Sequence, residues 1–236
     1  MKKTIKKALK ILNAEFLPAK IRYVKNHFSI SKKLCPFIEI YGFLSQAEAE
    51  KLYAAASSIK TKTPCLVEIG SHQGKSSFVL GKTLQERGGG KLYCIDPFDG
   101  SGDLSAVDHY TQGAGMGSGT LFKKFMQNMR RNKLESFVIA LQGLSHQVLP
   151  SFPEKEIDFL FIDGNHEWES VRQDFLDWTP KLRPGGVLAL HDVFATSFDN
   201  HYDGPWRVVK EFVLDNPQWI WFELVGSLAI AVKKSC

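Results

Sequence analysis

The stretch from Cys65 to Gly74, with the sequence CLVEIGSHQG, decides the fold class. Residues 66–69, which are apolar except for Glu68, predict a short buried strand, and residues 76–86 predict the helix that follows the loop. Glycines at both ends of the loop allow a sharp turn and let a ligand approach the backbone. The helix N-terminus offers unpaired N–H groups and the positive end of a dipole, which together favour an anionic group.

Strand and helix patterns alternate along the rest of the chain. Further strands are expected at residues 92–95, 137–141, 157–162 and 186–190, with helices at 121–132 and 167–179. Two final strands, 219–224 and 227–232, are separated by two residues, which permits only an antiparallel hairpin. The sequence therefore predicts an α/β fold: a Rossmann-like, mostly parallel, seven-stranded sheet with helices on both faces and a C-terminal antiparallel hairpin.

We divide the chain into a basic N-terminal extension, residues 1–40, and an α/β domain, residues 41–236. Residues 1–34 hold ten Lys or Arg and one acid, whereas the rest holds twenty basic and twenty-four acidic residues. Ile5, Leu9 and Leu12 share one face of a short basic amphipathic helix. Two interpretations stay open: a helix docked on the domain or on a partner subunit of a homo-oligomer, and peripheral contact with an anionic membrane surface. Because the domain itself is net acidic, no nucleic-acid partner is expected.

The cysteines and the hydropathy of the sequence indicate where in the cell the protein is expected. The four cysteines are scattered without a CxxC pair, which favours reduced thiols and a cytoplasmic location, membrane-peripheral if the extension binds lipid. No apolar run reaches the roughly 18 residues that a membrane span needs. A second helix is predicted after Leu44, because Ser45 and Glu48 fit a capping box.

The loop after the first strand favours S-adenosylmethionine over a dinucleotide. It has the spacing E-x-G-x-x-x-G from Glu68 to Gly74, and His72 stands where a GxGxxG loop has its second glycine. The second strand ends in Asp96, and a carboxylate there can accept hydrogen bonds from both ribose hydroxyls.

A cluster of acids and histidines follows the fourth and fifth strands. Asp163 and His166 come after the fourth strand, and His191 and Asp192 after the fifth. The carboxyl ends of neighbouring parallel strands share one sheet edge, so these four side chains are expected beside the cofactor loop. Asp163, His191 and Asp192 could hold Mg²⁺ or another divalent metal. Alternatively, His166 or His191 is a general base and no metal is needed.

Four stretches resemble the class I S-adenosylmethionine-dependent methyltransferases, and within them the branch of cephalosporin-hydroxylase-like and macrocin-type O-methyltransferases. The stretches are VEIGSHQGKSS, LYCIDPFDG, LQGLSHQVLP and IDFLFIDGNHEWESVRQDFLDWTPKLRPGGVLALHDV. The resemblance runs from Tyr41 to Val232. It implies that the glycine loop holds the methionine moiety, that the acid after the second strand holds the ribose, and that residues after the third strand border the adenine. The expected cofactor-binding residues are Glu68, Gly70, Ser71, Gly74, Ser76, Asp96, Gly143, Ser145 and Asp163.

The resemblance also bears on the metal and on the acceptor. Metal-dependent relatives bind Mg²⁺ through an acid after the fourth strand and two adjacent acids after the fifth; Asp163 and Asp192 match that pattern and His191 departs from it. The expected activity is O-methylation of a small-molecule hydroxyl of the sugar, phenol or natural-product type. Two alternatives stay open: a non-catalytic adenosylmethionine-binding or assembly module, and a nicotinamide oxidoreductase on the same fold. Long loops at residues 97–119 and 194–206 are expected to cover the substrate.

Overall fold

The computed structural model describes residues 21–23, 32–100, 120–154, 156–193 and 203–235. The predicted basic helix of the extension lies outside these residues, as do most of the two expected substrate loops. The strands are β1 (Ile21–Tyr23), β2 (Cys65–Ile69), β3 (Lys91–Asp96), β4 (Val138–Gln142), β5 (Ile157–Ile162), β6 (Leu182–Leu190), β7 (Trp219–Val225) and β8 (Leu228–Lys233). The helices are α1 (Gln46–Ser57), α2 (Lys75–Arg87), α3 (Thr120–Arg131), α4 (Ser145–Val148), α5 (Trp168–Trp178) and α6 (Gly204–Val208), and α6 continues as a π-helical turn over Val209–Val213.

All eight strands form one sheet in the order β1-β7-β8-β6-β5-β2-β3-β4. Strand β8 runs antiparallel to both β6 and β7, and the other neighbours are parallel, as predicted for a Rossmann-like sheet with a C-terminal hairpin. The predicted number of seven strands was wrong by one among the described residues. The additional strand, β1, pairs with β7 at the sheet edge. Its three residues are too few to show the two-residue alternation by which a strand is recognised in a sequence.

Helices cover both faces of the sheet, and the strands send alternate residues into two cores. Phe159 and Phe161 of β5 pack in the core with α1, α2 and α3, whereas Leu160 and Ile162 pack in the core with α5 and α6. Strand β5 is buried along its whole length, as its almost wholly apolar sequence predicted for a central parallel strand.

The first core extends into the segment assigned to the N-terminal extension. Leu34, Phe37 and Ile40 are buried against α1 and α2. The last residues of the extension therefore pack as part of the α/β domain. None of the described helices is long and apolar enough to cross a membrane.

Helix α1 begins at the predicted capping box. The Ser45 hydroxyl accepts a hydrogen bond from the Glu48 backbone N–H at 3.4 Å, and Glu48 Oε2 accepts one from the Ser45 N–H at 2.8 Å. Glu48 is almost fully buried, with 4% of its surface exposed. A surface cap needs no such burial, which points to a second role for this carboxylate.

Candidate active site

The candidate site lies where five parallel strands end at one edge of the sheet. Backbone hydrogen bonds align these ends: Gly70 N–H donates to Ile95, and Asp163 N–H donates to Ile69, at 2.9 and 2.8 Å. The His191 N–H continues the line by donating to Ile162 at 3.1 Å. The residues that follow β2, β3, β4, β5 and β6 thus meet at a common edge, where ligands bind in open α/β sheets.

Gly70 makes a close approach that no other residue could make. Its φ is +84°, and a Cβ atom built on it would lie 2.0 Å from the carbonyl oxygen of Asp163. Gly74, the N-cap of helix α2, has a φ of +86°. These two glycines let the loop after β2 turn sharply against the loop after β5, so the cofactor loop and the acid–histidine cluster are in direct contact.

Asp96 organises the glycine loop through backbone hydrogen bonds. Its Oδ2 accepts from the N–H groups of Ser71 and His72 at 2.9 and 2.8 Å, and its Oδ1 accepts from Phe98 N–H at 2.6 Å. Burial raises the pKa of Asp96, and these three N–H donors oppose that rise. The carboxylate also lines a cavity of about 600 Å³ at this edge of the sheet. It can therefore fix the loop and face a ligand at the same time.

Glu68 lies beneath the loop. It does not line either of the two cavities found at this edge of the sheet. It is fully buried, and its Oε2 accepts hydrogen bonds from the Ser71 and Ser77 hydroxyls and from the Cys94 thiol. Burial raises the pKa of Glu68 to about 7, although the hydrogen bonds of the surrounding serines and Cys94 oppose the rise. These contacts support the loop from below. A direct contact between Glu68 and a cofactor stays a prediction.

A cavity of about 600 Å³ runs along the sheet edge, and we refer to it as the main cavity. Its volume is within the range of small-molecule sites. It brings together five of the nine predicted cofactor-binding residues: Gly70, Asp96, Gly143, Ser145 and Asp163. His146, which the resemblance placed beside the adenine, also lines it, as do His72 and Asp174, which sequence reasoning did not assign to the site.

A second cavity of about 60 Å³, the small cavity, adjoins one end of the main cavity. Gly70, His72 and Asp163 line both. The small cavity also contains the predicted cofactor contacts Ser71 and Ser76 and the whole predicted reaction centre. Its lining includes His166, His191 and Asp192, together with Tyr41, Phe43 and Lys75.

His191 is enclosed by three carboxylates. Its Nδ1 lies 3.2 Å from Asp163 Oδ1 and 3.3 Å from Asp192 Oδ2, and its Nε2 lies 3.5 Å from Glu48 Oε2. Only 3% of the residue is exposed. Burial alone would lower the pKa of His191, but the charges of these acids and the hydrogen bonds to them raise it well above its ordinary value. Both ring nitrogens thus face acceptors, which favours the imidazolium form.

His166 lies beside this group and contacts Asp192. Its Nε2 is 2.9 Å from Asp192 Oδ2, which also faces His191. Burial opposes ionisation of Asp192, but the two histidines keep its pKa below the ordinary value. Asp192 has a φ of +54°, and Gly204 at the start of α6 approaches the His166 carbonyl so closely that a Cβ atom would lie 2.3 Å from it. Backbone packing from β6 and α6 thus fixes this pair.

The predicted metal ligands have donor atoms of a suitable kind. Asp163, His191 and Asp192 each offer one ligand atom, and these atoms lie within 4.8 Å of one another. Two carboxylate oxygens and one imidazole nitrogen suit Mg²⁺ or a transition metal. The same atoms also satisfy one another through His191 Nδ1. Metal dependence therefore stays a prediction.

The family of the chain follows from comparison with known proteins. A family model described as a methyltransferase domain matches residues 67–193, which is more than half of the chain. The chain belongs to the class I S-adenosylmethionine-dependent methyltransferases. The matched span begins in β2 and ends after β6, so it contains the glycine loop, Asp96 and the acid–histidine cluster. This assignment favours the methyltransferase expectation over a nicotinamide oxidoreductase.

Solved structures show the same fold in O-methyltransferases. One is the O-methyltransferase from Bacillus cereus in complex with S-adenosylhomocysteine, at 20% identity and a TM-score of 0.58, covering 98% of this chain and 91% of that one. Another is the O-methyltransferase TomG from Streptomyces achromogenes, involved in tomaymycin synthesis and bound to S-adenosylmethionine. Its identity is 16% and its TM-score 0.59, with 97% of this chain and 96% of that one covered.

A curated relative gives less information about function. The uncharacterized protein y4gI of Sinorhizobium fredii is 27% identical to this methyltransferase over 158 residues, which is 64% of this chain. The matched region spans only 15% of that much longer protein.

Sequence reasoning missed several residues of the site. Glu48 fitted a capping box, and nothing in the sequence connected it with His191. Ser227 in the β7–β8 turn donates its N–H and its hydroxyl to Glu48 Oε1 at 2.7 and 2.8 Å. Asp174 on α5 accepts a hydrogen bond from the Ser145 hydroxyl. The helix that carries Asp174 was predicted, but nothing in the sequence placed one of its faces at the ligand site.

Proposed function

We propose that this methyltransferase transfers a methyl group from S-adenosylmethionine to a hydroxyl oxygen of a small molecule. The observation that carries the proposal is the pair of His166 and Asp192, 2.9 Å apart, in a small cavity that opens next to the main cavity. A hydroxyl group is a weak nucleophile until its proton is removed, so O-methylation needs a base or a metal at this position. The fold shared with O-methyltransferases supports the same reaction class.

His166 suits the role of base better than His191. Three carboxylates around His191 favour its imidazolium form, and a histidine that carries two protons has no lone pair for another. His166 directs Nε2 toward Asp192. If the imidazole proton lies on Nε2, beside Asp192, the lone pair lies on Nδ1, which can accept the hydroxyl proton. Asp192 then orients the ring and stabilises the imidazolium that forms.

The chain's own residues account for the rest of the reaction. When bound, S-adenosylmethionine supplies a methyl group on a sulfonium sulfur; as the new C–O bond forms, the C–S bond breaks and its electron pair remains on sulfur. The glycine loop, held by Asp96, fixes the position of the donor, and Gly70 brings that loop against Asp163. His166 receives the proton of the acceptor hydroxyl, so charge is balanced. Alignment of the reacting atoms supplies much of the rate.

The small cavity, of about 60 Å³, has room for the reacting hydroxyl group of an acceptor rather than for a whole small molecule. Tyr41 and Phe43 are partly exposed at its wall, with ring centroids 5.8 Å apart. Lys75 at the start of α2 donates to the Gly42 carbonyl at 3.0 Å, and burial lowers the pKa of this lysine. Aromatic surface beside a few polar groups is typical of sites for small organic ligands.

A divalent metal is the second part of the proposal. If one binds, Asp163, His191 and Asp192 would hold it, and it would lower the pKa of the acceptor hydroxyl. Binding would require His191 Nδ1 to lose its proton, because an imidazolium nitrogen has no lone pair for a metal.

Methylation with a deuterium-labelled methyl donor tests the proposal. Purified protein is incubated with labelled S-adenosylmethionine and a panel of phenols, sugars and hydroxylated natural products, and mass spectrometry locates the label. We expect label on oxygen. His166→Ala should lower kcat by about 10²–10⁴-fold with little change in S-adenosylhomocysteine affinity. His146→Asn, in the main cavity, is the comparison variant and should affect cofactor affinity more than kcat.

Chelator treatment separates the two mechanisms. Activity that is lost in chelator and restored by Mg²⁺ or Mn²⁺ supports a metal at Asp163, His191 and Asp192. Full activity in chelator supports His166 acting without a metal. A wild-type rate in His166→Ala, with chelator present, would remove both from the mechanism.

A further inference from the structure

Positive charge is concentrated on helix α3, although the α/β domain as a whole is net acidic. Residues 120–134, which form α3 and the turn after it, contain five Lys or Arg and no Asp or Glu. The helix packs on the domain through buried Leu121, Phe125 and Met129. All five basic side chains are exposed: Lys123, Lys124, Arg130, Arg131 and Lys133. An exposed helix face that carries only positive charge attracts an anionic partner.

Three apolar side chains with large exposed areas lie in the segment before α1. Ile38, Tyr41 and Phe43 are 55%, 39% and 59% exposed. Phe37 and Ile40 in the same segment are buried in the core, so the exposed side chains project from a backbone that is anchored to the domain. Clustered exposed apolar side chains are typical of a surface that contacts another molecule or a membrane.

Direct contacts join α3 to this segment. Arg131 Nη2 lies 2.6 Å from Glu39 Oε2, and both side chains are exposed. Glu39 is the one acid among residues 35–44, so this ion pair neutralises the negative charge of the segment. The outer side of α3 therefore continues into the exposed apolar residues. We refer to the five basic residues of α3 and its turn, together with Ile38, Tyr41 and Phe43, as the basic–apolar face.

The chain that leads into this face is also strongly basic. Residues 1–34 hold ten Lys or Arg and one acid, and the last two of these basic residues, Lys32 and Lys33, are exposed just before the apolar segment. Positive charge thus extends over more of the chain than α3 alone. An extended anionic surface fits this arrangement better than a compact acidic protein does.

We propose that the basic–apolar face binds the surface of an anionic phospholipid membrane. Lys and Arg side chains attract the lipid phosphates, and the exposed isoleucine and aromatic rings enter the boundary between the head groups and the acyl chains. A nucleic acid would pair with the basic residues but gives no reason for Ile38 to be exposed beside them. The inference does not depend on the methyl acceptor or on the proposed reaction.

Vesicle co-sedimentation of the full chain tests the charged part of this face. The vesicles contain phosphatidylcholine alone, or equal parts of phosphatidylcholine and phosphatidylglycerol. We expect binding to the anionic vesicles that weakens as salt is added, and little binding to the neutral ones. The double variant Lys123→Gln/Lys124→Gln should bind the anionic vesicles about 10-fold to 30-fold more weakly, the change expected when two cations are removed from a membrane contact.

A matched double variant separates this face from net charge. Lys60 and Lys62 are exposed and precede β2, at the opposite end of the sheet from the cavities. Lys60→Gln/Lys62→Gln removes the same charge and leaves residues 1–34 intact, so it should bind the anionic vesicles nearly as tightly as the wild type. Equal binding by the two double variants would overturn the assignment to α3, because the basic N-terminal residues would then account for the binding alone.

A second pair of variants tests the apolar part. Ile38→Ser should weaken vesicle binding by about 3-fold to 10-fold, because less apolar surface leaves water on binding. Ile220→Ser on β7, another exposed isoleucine, should bind as the wild type does. All four variants should keep the wild-type unfolding temperature and S-adenosylhomocysteine affinity. Should a double variant of α3 unfold, its two single variants decide. A wild-type protein that does not bind anionic vesicles, or binds neutral ones equally well, would overturn the inference and leave the methyltransferase function untouched.

Discussion

The Oε2 atom of Glu48 lies 3.5 Å from the Nε2 atom of His191, and Oε1 of the same carboxylate accepts two hydrogen bonds from Ser227. One buried acid thus joins helix α1, the β7–β8 turn and the histidine after β6. Burial opposes ionisation of Glu48, but the hydrogen bond and charge of His191, helped by Ser45, lower its pKa to about 2. Glu48 lies outside the span matched by the family model. We therefore expect it to act on the site through His191, as a positioning residue.

We expect Glu48→Ala to lower kcat by about 10-fold to 100-fold while S-adenosylhomocysteine affinity stays near the wild-type value, because the cofactor contacts lie on other elements. The variant should also lose about 1–3 kcal/mol of unfolding free energy, since the cap of α1 and the Ser227 donors lose their acceptor. Steady-state kinetics and denaturant unfolding measure the two effects. Glu50→Ala on the same helix is the control. An unchanged kcat in a folded Glu48→Ala protein would refute the positioning role.

Asp96→Ala should weaken S-adenosylhomocysteine binding by more than 10-fold, measured by calorimetry. The variant loses the proposed ribose acceptor and also the acceptor for the N–H groups of Ser71, His72 and Phe98. The control variant Asp215→Ala removes an exposed charge elsewhere and should bind S-adenosylhomocysteine with wild-type affinity. Wild-type affinity in Asp96→Ala would show that this carboxylate serves the loop alone.

Gly70→Ala should destabilise the protein by about 3 kcal/mol or more and abolish cofactor binding, because its Cβ atom would lie 2.0 Å from the Asp163 carbonyl oxygen. Gly88→Ala is a matched control. Gly88 has a similar φ of +74°, but nothing lies within 4 Å of its Cβ position. Gly88→Ala should lower the unfolding free energy by about 1 kcal/mol and leave cofactor binding intact. Equal losses in the two variants, in thermal unfolding and calorimetry, would rule out close approach as the reason for glycine at position 70.

Stability should depend on pH through Glu68. The folded-state pKa of about 7 exceeds the ordinary value of 4.5, so between these values the folded protein binds a proton that the unfolded chain has lost. The unfolding free energy should therefore fall as the pH rises through this window, by up to about 1.4 kcal/mol per pH unit from this group. Glu68→Gln should remove that slope and gain stability over the wild type between pH 5 and pH 8. The control variant Glu135→Gln changes an exposed acid, and its unfolding free energy should depend on pH as that of the wild type does. If the unfolding free energy of Glu68→Gln also follows the wild-type pH dependence, Glu68 does not titrate between pH 5 and pH 8.

The strongest sequence patterns predicted the fold and the edge that carries the site. Strand β5 was predicted with its observed bounds because every residue from Ile157 to Ile162 except Asp158 is apolar. The hairpin of β7 and β8 followed from the two residues between the strands. These features depend on neighbouring residues along the chain. Strand β1 is different: its pairing partner, β7, lies at the other end of the sequence, and three residues carry no periodic signal.

The sequence by itself determined the order of strands and helices, the glycine loop, Asp96 and the cluster of Asp163, His166, His191 and Asp192 at one sheet edge. This was possible because the carboxyl ends of parallel strands share an edge whatever the details of packing. Only the tertiary structure decided that Glu48 reaches His191, that three carboxylates enclose that histidine, and that Asp174 lines the cavity beyond Asp96. These contacts join elements far apart in the chain, and the balance of burial and charge that sets each pKa depends on which side chains the packing brings together.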